Sequence, residues 1–206
     1  GVALFNGSSA ILTNVEIVQN GITVQGQPVG GGIAVRGTAS LTVTGTSVIS
    51  MSGANGISAN DNATVSISGN TSISMSQFRG VQIGGTATAS ISNLTVEANG
   101  CYGLDVADNS TVNVSGGTYA GNAAAGIRVG GPSSALIGCG TNTDSVLHAT
   151  ATIEGAVITG NLIGLLVGDL SKDLEQATVT TVGVRFIGNG QNVVIDPVDT
   201  KNVDIS

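Results

Sequence analysis

An aspartate and an arginine, residue types suited to acid–base chemistry and anion binding, occupy matching places in successive repeats of this chain. Asp105 lies in the segment Gly103-Leu-Asp-Val, and Arg128 lies 23 residues further on in Gly126-Ile-Arg-Val. On neighbouring strands of one sheet, the two side chains would be about 4.8 Å apart. The guanidinium could then hold a uronate carboxylate, and the aspartate could act as a base or a metal ligand. The simpler interpretation, which we favour, is a surface ion pair that contributes little to stability.

Two polar segments between repeats hold the other catalytic and binding candidates. The first, residues 131–148, contains Asp144 and ends at His148, the single histidine. These two residues join Asp105 and Arg128 as catalytic candidates, although a polar loop without chemistry is the interpretation we favour for them. The second segment, residues 168–176, contains further charged residues. The candidate binding residues are Gln82, Asp105, Arg128, Asp169 and Lys172.

Metal ions and other cofactors are not expected from the distribution of ligand residues. Calcium needs six to eight oxygen ligands, and Asp169 and Asp173 offer the only weak site that we consider. Asp61 and Asp108 fall at corresponding corners, but the intervening repeat carries glycines there. No cluster of histidine and cysteine supports zinc. We therefore predict no metal site and no cofactor.

A repeat of 23 or 24 residues sets the positions of these candidates. Segments of the type glycine, aliphatic, any residue, small or aliphatic residue begin at Gly32, Gly56, Gly80, Gly103 and Gly126. Alternation of apolar and polar residues inside each repeat predicts strands. A fixed period in this range is typical of solenoids, in which each coil buries its apolar face against its neighbours. The pattern predicts an all-β, single-domain parallel β-helix over residues 1–206, with three strands per coil, about 23 residues per coil and seven to eight coils.

Alignment of the repeats predicts which residues face inward on each of three faces. On the first face the inward columns are Val2, Ile33, Ile57, Val81, Leu104, Ile127, Leu165 and Val193, and Leu4, Val35, Ala59, Ile83, Val106, Val129, Val167 and Ile195. On the second face they are Ala10, Leu41, Val65, Ala89, Val112, Ala151 and Ala177, and Leu12, Val43, Ile67, Ile91, Val114, Ile153 and Val179. The third face ends in Ile17, Ile49, Ile73, Val96, Tyr119, Ile158 and Phe186, followed by a corner column of Asn20, Ser52, Ser76, Asn99, Asn122, Asn161 and Asn189.

Departures from the period predict loop insertions near residues 23–31, 131–148 and 168–176. The last two leave from the same corner of adjacent coils, so we expect them to touch. Loops on a rigid solenoid are frequent sites of function. The chain starts and stops within a coil, so we expect a fragment of a longer protein whose exposed strand edges favour end-to-end or lateral self-association.

Composition narrows the classes of partner and leaves the compartment open. Only 9% of residues are charged and the net charge is −7, so we expect no nucleic-acid partner and no attraction to an anionic membrane surface. No apolar run is long enough to insert into a bilayer. Cys101 and Cys139 either form one disulfide or are buried free thiols, the second being our default.

The repeat of Gly-Ile-x-Val, polar turn, Ser/Thr-aliphatic-x-aliphatic, polar turn and aliphatic-x-x-Asn resembles that of the right-handed parallel β-helix family. This family includes pectate lyases, polygalacturonases, phage tailspikes and autotransporter passengers, and the resemblance implies a right-handed, single-stranded β-helix. The Gly/Ser/Thr/Asn-rich coils are most similar to bacterial surface passengers. In the polysaccharide-cleaving members the site lies on the first face and uses several Asp with Arg or Lys. Asn142-Thr143-Asp144 resembles the first acidic motif of polygalacturonases, whose other motifs are missing here.

Outward-facing hydroxyl groups on the second face support a different hypothesis. Thr-x-Thr ladders on β-solenoids resemble those of ice-binding proteins, and the corresponding pairs here are Thr42/Thr44, Ser66/Ser68, Ser90/Ser92, Asn113/Ser115, Thr152/Glu154 and Thr178/Thr180. Ordinary solvent-facing strand residues are the simpler interpretation.

Our leading functional prediction is a non-enzymatic, extracellular structural or adhesive segment of a bacterial surface or secreted protein. Its expected partners are glycans or cell-surface molecules. The alternatives are a polysaccharide lyase or glycoside hydrolase acting on the first face, and ice binding through the second face.

Overall fold

The computed structural model describes residues 1–24, 27–131, 139, 147–168, 175–195 and 201–206, with the side chains of residues 22–24, 27–29, 147, 175–176 and 201 left aside. Within this part of the chain all regular structure is β-strand, arranged in three parallel sheets of eight, eight and seven strands and one two-stranded antiparallel hairpin. In the three parallel sheets, each interior strand pairs with the equivalent strand of the coil before and the coil after. The fold is therefore a three-sided parallel β-helix of about eight coils, as the repeat predicts.

The three faces contain the following strands. The first face consists of Val2–Leu4, Ile33–Val35, Ile57–Ala59, Val81–Ile83, Tyr102–Val106, Ala125–Val129, Ile163–Val167 and Gln191–Ile195. The second face consists of Ser9–Thr13, Ser40–Thr44, Thr64–Ile67, Thr88–Ser92, Thr111–Ser115, Leu147–Glu154, Glu175–Val182 and Lys201–Ile205. The third face consists of Glu16–Val18, Val48–Ser50, Ser72–Ser74, Thr95–Glu97, Thr118–Ala120, Val157–Thr159 and Arg185–Ile187.

The core is a stack of Val, Ile, Leu and Ala side chains along the inside of the coils. The predicted first-face columns are confirmed residue by residue, for example by the pairing of Val81 with Leu104 and of Leu104 with Ile127. Most inward residues of the central coils are at most 1% exposed. One member departs from the prediction, because Ile195 lies in a terminal coil and is 43% exposed. The third face also follows the prediction, with Tyr119 buried between Val96 and Ile158.

The predicted second-face register is wrong after the insertion that precedes Glu175. Ala151 pairs with Val179 instead of Ala177, and Ile153 pairs with Thr181 instead of Val179. A shift of two residues keeps the same side chains facing inward, so the apolar pattern alone does not distinguish the two registers. The observed register places the polar Thr181 in the core, where it is fully buried.

Described strands lie within or beside the three insertions predicted near residues 23–31, 131–148 and 168–176. The first contains an antiparallel hairpin of Ile22–Val24 and Gln27–Val29. After the second, the strand resumes at Leu147, so His148 lies within a strand and does not close a loop. The strand after the third begins at Glu175, which shortens that insertion at its C-terminal end. The predicted contact between the second and third insertions falls outside the described residues.

An asparagine ladder closes the corner between the third and first faces, as predicted. The Asn99 side chain donates to the Asn122 Oδ1 atom at 2.9 Å, Asn122 donates to Asn161 at 3.1 Å, and Asn161 donates to Asn189 at 3.0 Å. The same oxygens accept backbone N–H groups, so each amide satisfies the turn of the neighbouring coil. The ladder therefore fixes one corner of the solenoid and orients the strand that follows it.

Candidate functional site

Two columns of side chains point outward from the first face, one before and one after the repeated glycine of each strand. One column, immediately before the repeated glycine, contains Asn55, Arg79, Tyr102, Ala125 and Ile163; the other, two residues after it, contains Ser58, Gln82, Asp105, Arg128 and Leu166. Alternation along a strand makes such residues face away from the core. Asp105 and Arg128 are paired in register, as predicted.

Asp105 forms a buried ionic cluster with two arginines. Its two carboxylate oxygens lie 2.6 Å from the Nε atoms of Arg79 and Arg128, respectively. The aspartate is 0% exposed and each arginine is 1% exposed. Our favoured sequence interpretation, a surface ion pair, is therefore wrong in two respects: the pair is buried, and Arg79 is a third member. The cluster carries a formal charge of +1, because two guanidinium groups share one carboxylate.

Tyr102 packs against both arginines. Its ring centroid lies 4.8 Å from the Arg128 Cζ atom and 5.8 Å from the Arg79 Cζ atom. At these distances the negative face of the ring attracts the guanidinium groups, more strongly where water is excluded. The Tyr102 hydroxyl donates to the carbonyl oxygen of Cys139 at 2.8 Å. Tyr102 thus connects the ionic cluster to a residue 37 positions along the chain.

A disulfide joins Cys101 to Cys139, which decides between the two alternatives left open by the sequence. Cys101 is fully buried and belongs to a second apolar cluster, separate from the solenoid core, with Tyr102, Ala125 and Leu166. Cys139 packs against this cluster from outside. The outer surface of the first face is therefore covered in these coils, whereas the sequence prediction treated it as open to water.

The backbone after Arg128 completes the enclosure of its guanidinium group. Gly131 is buried with φ +82, and a Cβ atom added there would lie 2.7 Å from an outer guanidinium nitrogen of Arg128. A side chain at this position would displace the arginine. The absence of a side chain at Gly131 is thus part of the fit of Arg128 into the cluster.

Gln82, predicted as a binding residue, belongs to an amide network in the preceding coils. Its Oε1 atom accepts hydrogen bonds from the Asn55 amide at 2.8 Å and from the Ser58 hydroxyl at 3.1 Å. Ser58 in turn accepts from the Asn60 amide at 3.0 Å. Gln82 is 4% exposed, whereas Asn55, Ser58 and Asn60 are half-buried. The solvent-facing part of the first face is therefore this polar network, beside the covered cluster.

The remaining predicted site residues are not brought into the cluster by any described contact. His148 is exposed on the second face, where its backbone N–H donates to the Asn109 side chain at 3.0 Å. Asp144, Asp169 and Lys172 lie outside the described residues. Among the residues that the structure does describe, no group of three His, Cys, Asp or Glu side chains is placed to hold a metal ion.

Sequence reasoning missed both Arg79 and Tyr102 as members of the site. Both residues directly precede a repeat glycine, Gly80 and Gly103. The alignment was anchored on these glycines, so the positions before them were treated as turns. Extending each first-face strand by one residue would have placed Arg79 and Tyr102 in one outward column beside Asp105 and Arg128.

Comparison with known proteins identifies one family. A family model described as "Right handed beta helix region" matches residues 1–143 and, in an overlapping second match, residues 31–203. A comparison with curated proteins gives no match. No helix in the described part of the chain is long and apolar enough to cross a membrane.

Proposed function

Because this chain belongs to the right-handed β-helix family, we propose that it is a rigid, non-enzymatic structural or adhesive segment of a secreted or surface protein. The fold by itself hosts many activities, so the argument rests on the first-face residues. The observation that carries it is the state of Asp105, which is fully buried with both carboxylate oxygens held by arginines.

Burial of Asp105 disfavours the alternative of polysaccharide cleavage on this face. A general base must come within hydrogen-bonding distance of the substrate or of a bridging water. The Asp105 oxygens already contact Arg79 and Arg128 at 2.6 Å, and the cluster has no appreciable exposed surface. The same three residues instead link three successive coils, which is a structural role. An aspartate held in this way stiffens the solenoid and does not present a reactive group.

The disulfide supports an extracellular location. Disulfides persist in oxidising compartments and are rare where thiols are kept reduced. The bond between Cys101 and Cys139 joins positions 38 residues apart. A solenoid with this cross-link is suited to an environment without chaperones, where a stiff scaffold must remain folded.

The adhesive role is assigned to the surfaces that remain open. On the first face these are the half-buried Asn55, Ser58 and Asn60, whose amide and hydroxyl groups suit sugar hydroxyls. No tryptophan is present to stack on a sugar ring, so each contact is weak and affinity must come from repetition. Glycans or other polar cell-surface molecules are the proposed partners.

The test is incubation of the purified chain with labelled uronic-acid and neutral polysaccharides, followed by size-exclusion chromatography. The proposal expects intact polymers, with co-elution of at least one of them. Co-elution should weaken in Ser58→Trp, which blocks the open part of the first face, and persist in the matched third-face variant Thr118→Trp. Shortened polymers produced by the wild-type chain would identify an enzyme and overturn the proposal.

A second candidate function, ice binding, is favoured by the register of the second face. The column preceding the predicted Thr-x-Thr pairs consists of hydroxyl residues in every coil from first to seventh: Ser9, Ser40, Thr64, Thr88, Thr111, Thr150 and Thr178. The corrected register brings Thr178 into this column, beside Thr150, and pairs Thr152 with Thr180. Regularly spaced hydroxyl groups on a flat parallel sheet repeat at about 4.8 Å.

Thermal hysteresis of the freezing point tests this second candidate. Activity that is present in the wild-type chain and lost in Thr88→Tyr and Thr111→Tyr would support it, because both residues are exposed in the centre of the column. The matched control is Thr118→Tyr on the third face, which should retain the activity. Absence of hysteresis in the wild-type chain would remove ice binding as a candidate.

A further inference from the structure

The first three coils carry exposed side chains on the first face that the scaffold role does not use. We propose that Phe5, Arg36 and Asn60 form a binding site for a neutral glycan, with the apolar face of a sugar ring on Phe5 and sugar hydroxyl groups on Arg36 and Asn60. This inference rests on the adhesive function proposed above, because it assigns the ligand class and the residues of that surface.

The register of the first three coils brings these side chains together. The backbone N–H of Arg36 donates to the carbonyl oxygen of Leu4 at 2.9 Å, so Phe5, the next residue, lies beside Arg36. The backbone N–H of Asn60 donates to the carbonyl oxygen of Val35 at 3.0 Å, which places Asn60 on the other side of Arg36. Neighbouring strands are about 4.8 Å apart, so the three positions span roughly 10 Å along the solenoid.

All three side chains face outward, next to a column of smaller residues. Phe5 is 54% exposed, and Arg36 is exposed as well. The Asn60 amide donates to the Ser58 hydroxyl at 3.0 Å, so its column lies beside the column that contains Ser58 and Ala34. Long side chains in one column and short ones in the next form a shallow trough along the solenoid axis.

The functional groups of this trough match those of a sugar ring. The exposed ring of Phe5 offers a flat apolar surface, which suits the C–H groups on one face of a pyranose. Arg36 takes part in no ion pair or side-chain hydrogen bond among the described residues, so its N–H donors can reach hydroxyl oxygens. Asn60 uses one N–H on Ser58, and no described residue donates to its Oδ1 atom. The site therefore offers a stacking surface, donors and an acceptor at adjacent positions.

The charges around the trough favour a neutral glycan over an acidic one. Asp61 belongs to the coil after Arg36, and its carboxylate accepts the backbone N–H of Gly37 at 2.9 Å. This carboxylate offsets the charge of Arg36 at the same corner, and the chain as a whole has a net charge of −7. A chain of this charge repels a polyanion at long range, whereas hydroxyl groups meet no such repulsion.

Fluorescence anisotropy with labelled oligosaccharides tests this site in the purified chain. The probes are oligomers of glucose, mannose and galactose, with an oligomer of galacturonic acid of equal length as the acidic probe. At least one neutral probe should bind, with little dependence on salt concentration. Phe5→Leu and Arg36→Met should each weaken this binding about tenfold, as expected for the loss of one central contact. Phe5→Tyr, which keeps the aromatic face, should bind as the wild-type chain does.

The matched control is Ile11→Ala, because Ile11 belongs to the same coil but is 75% exposed on the second face. This variant should bind as the wild-type chain does, and urea unfolding checks that every variant is folded. Neutral binding that Phe5→Leu and Arg36→Met leave unchanged would overturn this site, while the adhesive function would stand. Preferential, strongly salt-sensitive binding of the galacturonic acid oligomer would overturn the neutral ligand class. Absence of binding to every probe would overturn the site together with the glycan partner proposed for the chain.

Discussion

Replacement of Asp105 by asparagine should destabilise the solenoid strongly, because the change removes the only negative charge of the buried cluster. Both arginine Nε atoms lie 2.6 Å from the Asp105 oxygens, and each arginine is 1% exposed. Asparagine has nearly the same shape, so packing is preserved while two guanidinium groups lose their counter-charge. Breaking a buried ion pair by removing one partner costs about 3 to 5 kcal/mol.

Urea unfolding followed by circular dichroism measures this effect. A slope of about 1 to 3 kcal/mol/M converts the expected loss into a fall of roughly 1 to 5 M in the midpoint. The matched control is Asp204→Asn, since Asp204 is exposed and surface substitutions usually change stability by about 0.5 kcal/mol or less. Replacing the whole cluster by Arg79→Met, Asp105→Leu and Arg128→Met should restore most of the stability, because an apolar cluster needs no counter-charge.

A midpoint for Asp105→Asn equal to that of the Asp204→Asn control would refute the reasoning. It would mean that the arginines find other compensation or reach water, and that the cluster does not hold the coils together. A triple variant as unstable as Asp105→Asn would refute the expectation that an apolar cluster can replace the ionic one. It would show that the ionic contacts themselves are required, and not merely the balance of charge.

Three further predictions concern the core and the corner. Tyr119→Phe should be neutral or stabilising by about 1 kcal/mol in urea unfolding, because the buried Tyr119 hydroxyl has no hydrogen-bond partner among the described residues. Burial raises the pKa of this phenol above its ordinary value of 10.0, so the unfolded chain loses the proton first as the pH rises. The wild-type chain should therefore lose stability above pH 10, and the variant should lose less. Asn122→Ala should cost about 1 to 3 kcal/mol by the same assay, because it leaves buried donors of Asn99 without an acceptor. Gly126→Ala should lower the midpoint much more than Gly121→Ala. An added Cβ atom would lie 2.5 Å from a core isoleucine methyl group at Gly126 but meets nothing within 4 Å at Gly121, where the cost of about 1 kcal/mol comes from φ +57 alone. Equal effects of the two substitutions would contradict the packing argument.

The interior of the solenoid could be predicted from the sequence because its constraints repeat. Ile57, Val81 and Leu104 occupy the same place in successive coils, and each is buried by the residues directly above and below it. The sequence pattern within each repeat therefore predicts the packing contacts between neighbouring coils. The prediction failed at Thr181 because a two-residue shift keeps the inward alternation, and only the number of residues consumed by the preceding insertion decides between the registers.

The outer side of the first face could not be predicted in the same way. Alternation assigns Asp105 and Leu166 to solvent, yet both are buried. Asp105 contacts Arg79 and Arg128 of the adjacent coils, and Leu166 belongs to the cluster of Cys101. Cys139 packs against that cluster, and no period relates Cys139 to Cys101. The cysteines were a visible signal, but their pairing alone would not have shown that Tyr102 and an ionic cluster lie beneath.

The position of this cover determines where ligand recognition can occur on the first face. The covered coils contain the residue types that would bind an acidic sugar, Arg79 and Arg128, but their guanidinium groups are committed to Asp105. The uncovered coils contain Ser58 and small neighbours such as Ala34, which form a flatter and less charged surface. In the oxidised protein, recognition on this face must therefore be polar and shape-based. A dependence of ligand binding on charge would require the covered arginines to be exposed, so strongly salt-sensitive binding to an anionic polymer on this face would contradict the assignment.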